Sequence, residues 1–434
     1  MQLQNVVIVD GCRSAFSRGG KGKLEATRVD EVAATVVKAL MERNPKVKPS
    51  MVEDFGIGNA GNTADLIMLG GISRLAGLPA EVTNFHSNRQ CGSSMETMQR
   101  IAMAIMVGAM DCGIACGVER MGRSLMGERS GAKSTRVTGM NMRIFQKSRL
   151  QRDMAEDHFN YFSVPVPDAI LDGPPMAAMT QTAQNVIDMY GLTRTELDQF
   201  AVDSHRKLDE AYKKGAYKAE IIPMEVEDPI FDDQGMWVED QKGPMVMFDQ
   251  DECLRVSTNL EGLAKLKPIG GVVSLLGNEV HVTAGNSCPT NSGASAILLM
   301  SEKTALKLGL EPLARIIGMG VGGVKGQLMG IGPIPASIKA LKHAGLTADQ
   351  IDRVEFNEAF AAQVIPSVKD IGLNPAVVNV NGGSLGIGHP LGATGARLVL
   401  TVAHELRRSG KKYGLSTQCI GAGQGITTII ESLG

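Results

Sequence analysis

The chain has 434 residues, with 44 Lys and Arg against 46 Asp and Glu, so its formal net charge is −2 at pH 7. A charge so near zero excludes the strongly basic proteins that bind nucleic acid through their net charge. The seven cysteines form no C-x-x-C pair and no metal-ligand spacing with the seven histidines. We therefore expect free thiols, no metal site and a reducing, cytoplasmic setting.

The chain begins with a strand-like run, VVIVDGCR at 6–13, that follows neither a basic stretch nor a cleavage site. This start predicts that the protein has no secretory signal. The longest apolar run, IAMAIMVGAM at 101–110, is too short to span a bilayer.

Three short segments recur later in the chain in the same order and at nearly the same spacing. VVKAL (36–40) resembles SIKAL (337–341), VEDFGIGNA (52–60) resembles IDRVEFNEA (351–359), and GLPAEVTNF (77–85) resembles GLNPAVVNV (372–380). Helices and strands alternate in both copies, which predicts α/β layers around a largely parallel sheet. The chain is thus interpreted as a duplicated α/β unit with an insertion between its copies.

In the first copy, NRQCGSSMETMQR (88–100) places Cys91 where a loop becomes a helix over 92–108. Apolar residues at 95, 98, 101, 102, 105 and 109 form one helical stripe. A core cysteine near a tight turn explains Cys91 equally well. A nucleophilic thiolate would gain from the helix N-terminus, whose partial positive charge should lower the thiol pKa.

A basic segment, 120–152, begins two residues before the insertion, 122–283, and continues into it. This segment carries nine Lys or Arg against the single acid Glu128. A solvated loop, an anionic ligand, a partner subunit and an anionic membrane surface all remain open for it. Two helices follow, at 182–191 and at 192–215.

The second copy places three polar residues at turns. Asn357 follows a strand and precedes a helix, where N-capping is the alternative role. His389 should be the N-cap of a helix whose first residue is Pro390. If the repeat is real, a pseudo-twofold axis brings this helix start to that of Cys91, and a Cys–His pair activates a nucleophile. Cys419 lies between two strand-like runs and is followed by three glycines, Gly421 among them.

The glycines around His389 could also belong to the dinucleotide-binding loop of a dehydrogenase. GIGHPL (386–391) breaks the G-x-G-x-x-G pattern at its last position, and LRRSGKK stands where an acid should bind a ribose hydroxyl. The chain also has no G-x-x-x-x-G-K-[ST] motif. Both patterns disfavour a phosphate-cradling loop.

Together, NRQCGSS, NEAFA, GHPLGATG and CIGAGQG closely resemble the motifs of the thiolase family, in the same order. VVIVDGCRSAF and TAGNSCPTNSGASA (283–296) resemble its first strand and its central segment, so the resemblance spans nearly the whole chain. It implies the five-layered αβαβα thiolase fold, CoA thioester chemistry without a permanently bound cofactor, and a homodimer or tetramer.

The resemblance also implies roles for individual residues. Cys91 would be acylated, His389 would activate it, and Cys419 would move a proton at the substrate α-carbon or leaving thiolate. Asn357 would orient a water that stabilises one oxyanion together with His389, and the backbone N–H groups of Cys91 and Gly421 would bind the second. Substrate binding falls to a further set of residues, namely Arg255, Ala284, Cys288, Ala359 and Phe360.

Three departures bear on the substrate. Ala178 precedes MTQTA where acetoacetyl-CoA thiolases commonly have His, Cys288 replaces a Ser common in the family, and the loop 268–282 is longer than usual. The CRSAFSR start and the basic segment 120–152 resemble β-oxidation thiolases. The function expected is therefore 3-ketoacyl-CoA thiolysis or the reverse condensation. A narrow acetoacetyl-CoA thiolase and a catalytically silent lipid-binding homologue are the alternatives.

The expected division of the chain follows from the repeat. Residues 1–121 form an N-terminal half completed by about 284–310, residues 122–283 form an inserted loop domain that binds CoA and substrate, and residues 311–434 form the C-terminal half. The basic segment 120–152 is expected to meet a β-oxidation partner subunit or an anionic membrane surface.

Overall fold

The computed structural model describes residues 3–61, 69–121, 161–173, 178–238 and 240–434. Most of the basic segment, 122–152, therefore lies outside the described residues. Its first residue, Arg120, is buried and donates hydrogen bonds to the backbone oxygens of Glu25 and Thr27. The inclusion of Arg120 in an anion-attracting surface was wrong, because its guanidinium is inside the protein.

The two halves and the insertion each contribute a block of elements. The N-terminal block contains β1 (Val6–Arg13), β2 (Ser17–Arg18), α1 (Val29–Arg43), β3 (Asp54–Gly58), α2 (Leu69–Leu75), β4 (Thr83–Ser87), α3 (Ser93–Met106) and β5 (Cys112–Arg120). The insertion contains α4 (Asp168–Leu171), α5 (Met179–Tyr190), α6 (Arg194–Lys213), β6 (Met224–Glu227), β7 (Met245–Phe248) and α7 (Leu260–Ala264). β8 (Asn291–Ser301) and α8 (Glu302–Lys307) follow the insertion, and β8 pairs with β1 and β5 of the N-terminal block. The C-terminal block contains β9 (Ala314–Gly323), α9 (Pro333–Ala344), β10 (Arg353–Phe356), α10 (Ala361–Ile371), α11 (Ser384–Ile387), α12 (Leu391–Ser409), β11 (Tyr413–Ile420) and β12 (Gln424–Ser432).

The sheet shows the duplication directly. Its strands run in the order β10-β11-β12-β9-β1-β8-β5-β3-β4, and the two halves meet where β1 pairs with β9. On either side of that pair the strands follow equivalent paths, and Val378 bridges to β10 as β4 pairs with β3. The repeat predicted from three short segments is confirmed.

The expectation of a largely parallel sheet was wrong. β3 pairs in parallel with β4 and β5, and β10 with β11, whereas β1, β8, β9 and β12 pair antiparallel with their neighbours. The inner strands are antiparallel because β8 and β12 return beside β5 and β11 in the opposite direction.

Three apolar clusters define five layers. The middle cluster joins α3 and α12 to strands of both halves, so these two helices lie between the two parts of the sheet. One outer cluster contains α1 on the N-terminal part, and the other contains α9 and α10 on the C-terminal part. The predicted αβαβα arrangement is confirmed.

Helix α3 illustrates how the sequence pattern leads to this position. The stripe residues Met95, Met98, Ile101 and Ile105 have no exposed surface. Burying each such side chain stabilises the folded state by about 1.5–3 kcal/mol. The stripe therefore favours a position in which α3 is covered on both sides by other elements. Among the described residues, none of the helices has the length and apolar character required to span a bilayer.

Candidate active site

Cys91 lies immediately before α3, whose N-cap is Gly92. A Cβ on Gly92 would lie 2.8 Å from Cδ1 of Ile420, so the side chain at the end of β11 packs directly against this turn. Gln90 has a left-handed φ of 47°, an unusual conformation for a residue with a Cβ. The turn therefore holds Cys91 against the strand end that carries Cys419.

The thiol of Cys91 is held in its neutral form. Burial raises its pKa above the ordinary value, and the neighbouring Cys419 raises the pKa further. The backbone N–H groups of Gly421 and Cys91 act in the opposite direction and favour the thiolate. The expectation that the helix start lowers this pKa was wrong in its net direction, because desolvation outweighs the N–H groups.

Cys419 and Cys288 lie beside Cys91. Cys419 is the second-last residue of β11 and is packed in an apolar cluster with Phe360, Met329 and Cys288. Burial raises the pKa of Cys419 to about 12, while a hydrogen bond from Gln363 lowers it. The three thiols thus meet at one point between the halves, with Cys91 and Cys288 only partly exposed.

Asn357 and His389 form the second part of the site. The Asn357 side-chain nitrogen lies 3.3 Å from Nε2 of His389. The hydroxyl of Thr394 donates to the backbone oxygen of Pro390 at 2.8 Å, so it must accept the bond from Nδ1 of His389 at 2.7 Å. The proton of the neutral imidazole is therefore on Nδ1, and Nε2 is an acceptor that faces the site.

Burial, and then the charge of Arg397, lower the pKa of His389 to about 3. The imidazole is consequently neutral near pH 7, as a general base requires. His389 is not the N-cap, however, because α12 begins at Leu391 and its N-cap is Pro390. The ring is instead fixed by Thr394, and the main chain at this point is fixed by the backbone N–H of His389, which donates to Oδ1 of Asn291 at 2.9 Å.

The starts of α3 and α12 pack together as the pseudo-twofold predicts. The Ala396 N–H donates to Oγ of Ser94 at 2.9 Å, and a Cβ on Gly395 would lie 2.6 Å from the Met95 nitrogen. Within the described residues no hydrogen bond joins Cys91 to His389, since the Asn357 amide lies at Nε2 instead. The structure therefore contains a thiol group and an Asn–His pair that substrate would have to bridge.

The alternative role of Asn357 as a helix cap is wrong. The N-cap of α10 is Phe360, and Asn357 uses its amide on His389 and accepts from the Ser384 hydroxyl at 2.6 Å. The next residue, Glu358, is buried and accepts hydrogen bonds from Ser204, Asn379 and the Leu385 N–H. These bonds fix the turn that carries Asn357.

The residues expected to bind substrate separate into two groups. Cys288, Ala359 and Phe360 line the site, since the Cys288 N–H donates to the Ala359 oxygen at 2.9 Å and Phe360 packs near Cys419. Arg255 is exposed on a loop of the insertion, and Ala284 is exposed directly after the insertion. The backbone N–H of Arg255 donates to Nδ1 of His205 at 3.3 Å.

Three residues that contact the Asn–His pair, and a fourth that contacts one of the three, escaped the sequence analysis. Thr394 fixes the His389 tautomer, and the side-chain amide of Gln363 donates to the backbone oxygen of Asn357 at 2.9 Å. Ser384 contacts Asn357, and Arg397 contacts Ser384. The available signal was helical spacing, because Thr394 and Arg397 lie three residues apart on α12, shortly after His389.

The comparisons with known proteins agree with this geometry. Residues 6–303 match the sequence model of the thiolase N-terminal domain, and residues 310–432 match that of the C-terminal domain. The chain belongs to the thiolase family. Thiolases transfer acyl groups, so the chain is an acyltransferase.

Similar thiolases cover the chain from end to end. A 3-ketoacyl-CoA thiolase of Aliivibrio fischeri is 37% identical, covering 99% of this chain and all of that protein. A beta-ketoadipyl-CoA thiolase of Acinetobacter baylyi is 40% identical with the same coverage. Among solved structures, an acetyl-CoA acetyltransferase of Bacillus anthracis has a TM-score of 0.80 at 31% identity, and human mitochondrial 3-ketoacyl-CoA thiolase has 0.78 at 30%, both over the full length of each chain.

Proposed function

We propose that this CoA-dependent thiolase cleaves 3-ketoacyl-CoA with free CoA, through an acyl thioester on Cys91. The observation that carries the proposal is the position of Cys91. Its thiol faces the N–H groups of Cys91 and Gly421 and lies next to Cys419. A nucleophile, a proton carrier and oxyanion donors then meet at one point.

The proposed reaction begins with proton transfer from Cys91 to Nε2 of His389. The Cys91 sulfur attacks the 3-keto carbon, the C2–C3 bond breaks, and the acetyl-CoA enolate that leaves takes a proton from Cys419. In the second step the Cys419 thiolate takes the proton of free CoA, whose sulfur attacks the Cys91 thioester. The products are acetyl-CoA and an acyl-CoA shortened by two carbons, and Cys91 regains its proton from His389.

The two oxyanions would be stabilised at different places. The Asn357 amide, through a water that His389 also contacts, would stabilise the thioester oxyanion of the enolate, and the N–H groups of Cys91 and Gly421 would stabilise the tetrahedral oxyanion on the acyl carbon. Each step uses protein groups and the two CoA substrates alone, so we propose no permanently bound cofactor.

We propose that the enzyme accepts 3-ketoacyl-CoAs over a broad range of acyl chain lengths. Cys419 packs among apolar side chains that include Phe360 and Met329. Ala178, the N-cap of α5, stands where acetoacetyl-CoA thiolases commonly have His. The names of the relatives from Aliivibrio fischeri and Acinetobacter baylyi refer to 3-ketoacyl-CoA as a class and to beta-ketoadipyl-CoA, so neither name is restricted to acetoacetyl-CoA.

The test is a series of initial rates on 3-ketoacyl-CoAs of increasing chain length. A buried methylene is worth about 0.8 kcal/mol, so kcat/KM should rise about fourfold per added methylene until the pocket is filled. A fall at the first added methylene would favour the narrow acetoacetyl-CoA thiolase. No turnover of any member would favour the silent lipid-binding homologue.

We further propose a cytoplasmic homodimer or tetramer that acts in β-oxidation, with the basic segment 120–152 as the contact to a partner subunit or an anionic membrane. Its composition supports this, because it keeps eight Lys or Arg against the single acid Glu128 when the buried Arg120 is left out. Neutralising Arg143, Lys147, Arg149 and Arg152 together should abolish retention on anionic liposomes or on the partner at low salt, and leave activity on short substrates intact. Unchanged retention of this variant on liposomes and on the partner would contradict the contact. The oligomer is tested separately, since light scattering should give the mass of two or four chains.

A further inference from the structure

A chain of buried hydrogen bonds leads from the Asn–His pair away from the substrate side. The Ser384 hydroxyl donates to Oδ1 of Asn357 at 2.6 Å, and Nη2 of Arg397 donates to Oγ of Ser384 at 2.7 Å. All three side chains have no exposed surface. Water therefore cannot replace either bond without a rearrangement of the protein.

The donors and acceptors in this chain admit one direction. A guanidinium has no acceptor atom, so Arg397 must donate and the Ser384 oxygen must accept. The single hydroxyl proton of Ser384 then goes to Asn357 Oδ1. This orients the amide, because with its oxygen on Ser384 its NH₂ group is directed at Nε2 of His389.

Arg397 is itself fixed by an ion pair. Its Nη1 lies 2.8 Å from Oε2 of Glu355, and both side chains are buried. Glu355 is on β10, two residues before Asn357, and Arg397 is on α12, eight residues after His389. The ion pair thus joins the two elements that carry the Asn–His pair.

Local geometry explains why Ser384 can reach Asn357. Ser384 is the first residue of the one-turn helix α11, directly after Gly383. A Cβ on Gly383 would lie 2.2 Å from Cδ of Glu358, so glycine is required for the two turns to approach. The glycine-rich stretch before His389 therefore places a serine hydroxyl beside Asn357.

We propose that Ser384 and Arg397 are positioning residues for the oxyanion site: Arg397 orients the Ser384 hydroxyl, which holds the Asn357 amide toward His389. The inference rests on the proposed function, because Asn357 must act on the reacting thioester for its orientation to matter. Neither residue touches substrate. Their effect is therefore on turnover and not on CoA binding.

The experiment compares kcat, the KM for CoA and the unfolding midpoint in Ser384→Ala, Ser384→Thr and the wild type. Removing an oxyanion donor outright costs about 10²–10³-fold in kcat, so loosening the orientation of the Asn357 amide should cost less, about 10–100-fold. Ser384→Ala should lower kcat by that factor with a KM within about twofold of wild type. Ser384→Thr restores the donor and should recover most of the loss.

Ser416→Ala is the matched control. Ser416 is buried as well, and its hydroxyl donates to the backbone oxygen of Leu398 on α12 at 3.1 Å and not to Asn357. It should lower the unfolding midpoint by a similar amount and leave kcat near wild type. If Ser384→Ala does not fold, Arg397→Lys takes its place, since an ammonium keeps the charge but cannot make both bonds of the guanidinium. By the same comparison with an oxyanion donor, it should also lower kcat by about 10–100-fold.

Three results would overturn the inference. The first is an active wild type whose kcat is matched by Ser384→Ala, or by Arg397→Lys where that variant is used. The second is a change in KM with no change in kcat. The third is a loss of kcat in Ser416→Ala equal to that in Ser384→Ala. A wild-type protein without thiolysis would instead contradict the proposed function.

Discussion

Replacing Cys91 by Ser should lower thiolysis by at least about 10⁴-fold, because removal of a covalent nucleophile removes the reaction path. A serine hydroxyl has nearly the same size but loses its proton far less readily than a thiol. Burial already holds the thiol of Cys91 neutral by raising its pKa, and His389 would have to remove the more tightly held proton of serine. Steady-state rates on a 3-ketoacyl-CoA would measure the loss.

Cys12→Ser is the matched control for this substitution. Cys12 is buried in the N-terminal core, and its thiol donates to the Val36 oxygen at 3.3 Å, a bond that a hydroxyl can also make. Its activity should stay within a few-fold of wild type. If Cys91→Ser retained a tenth of the activity with an unchanged unfolding midpoint, the nucleophile would have to be another group.

His389→Ala and Asn357→Ala should each lower kcat by about 10²–10³-fold and leave CoA affinity nearly unchanged. The reason is that their interactions strengthen as charge develops on the thioester oxygen, whereas bound CoA in the ground state needs neither. Calorimetric titration with CoA would measure the affinity. The exposed residues His343 and Asn374 provide the controls His343→Ala and Asn374→Ala. A large loss of affinity with intact turnover would place the pair in the CoA site.

The same pair leads to an expected pH profile. The pKa of His389 is lowered to about 3, so the imidazole is neutral and able to accept a proton at every pH well above that value. Protonation would inactivate it only as the pH falls toward about 3. The kcat/KM of thiolysis should therefore show no inflection near about 6.5, the ordinary histidine pKa. An acid limb with a midpoint there would contradict a buried, neutral His389.

Much of the fold could be predicted from the sequence because the relevant patterns are local. The stripe on α3 and the runs that predict α5 and α6 are patterns of neighbouring residues, and all three helices are present in the structure. The repeat predicted the pairing of the two halves. The direction of β8 and β12 could not be predicted, because strand direction depends on long-range pairing that the repeat does not specify.

The candidate site was predictable in position and not in electrostatics. The turns at Cys91 and Asn357 and the strand end at Cys419 follow from glycine placement and strand–helix alternation. The net pKa of Cys91 depends on burial between two halves, a property of the assembled layers. The bond from Ser384 to Asn357 joins residues 27 apart and depends on the close approach of Gly383 and Glu358.

The central claim is that Cys91 carries the acyl group. The most direct measurement is incubation with acetyl-CoA, followed by digestion at low pH and mass-spectrometric mapping of the acetylated peptide. The account predicts one acetyl group, on Cys91 in the peptide containing NRQCGSS, absent in Cys91→Ser and released by added CoA. Acetyl on Cys419 or Cys288 with none on Cys91 would contradict it.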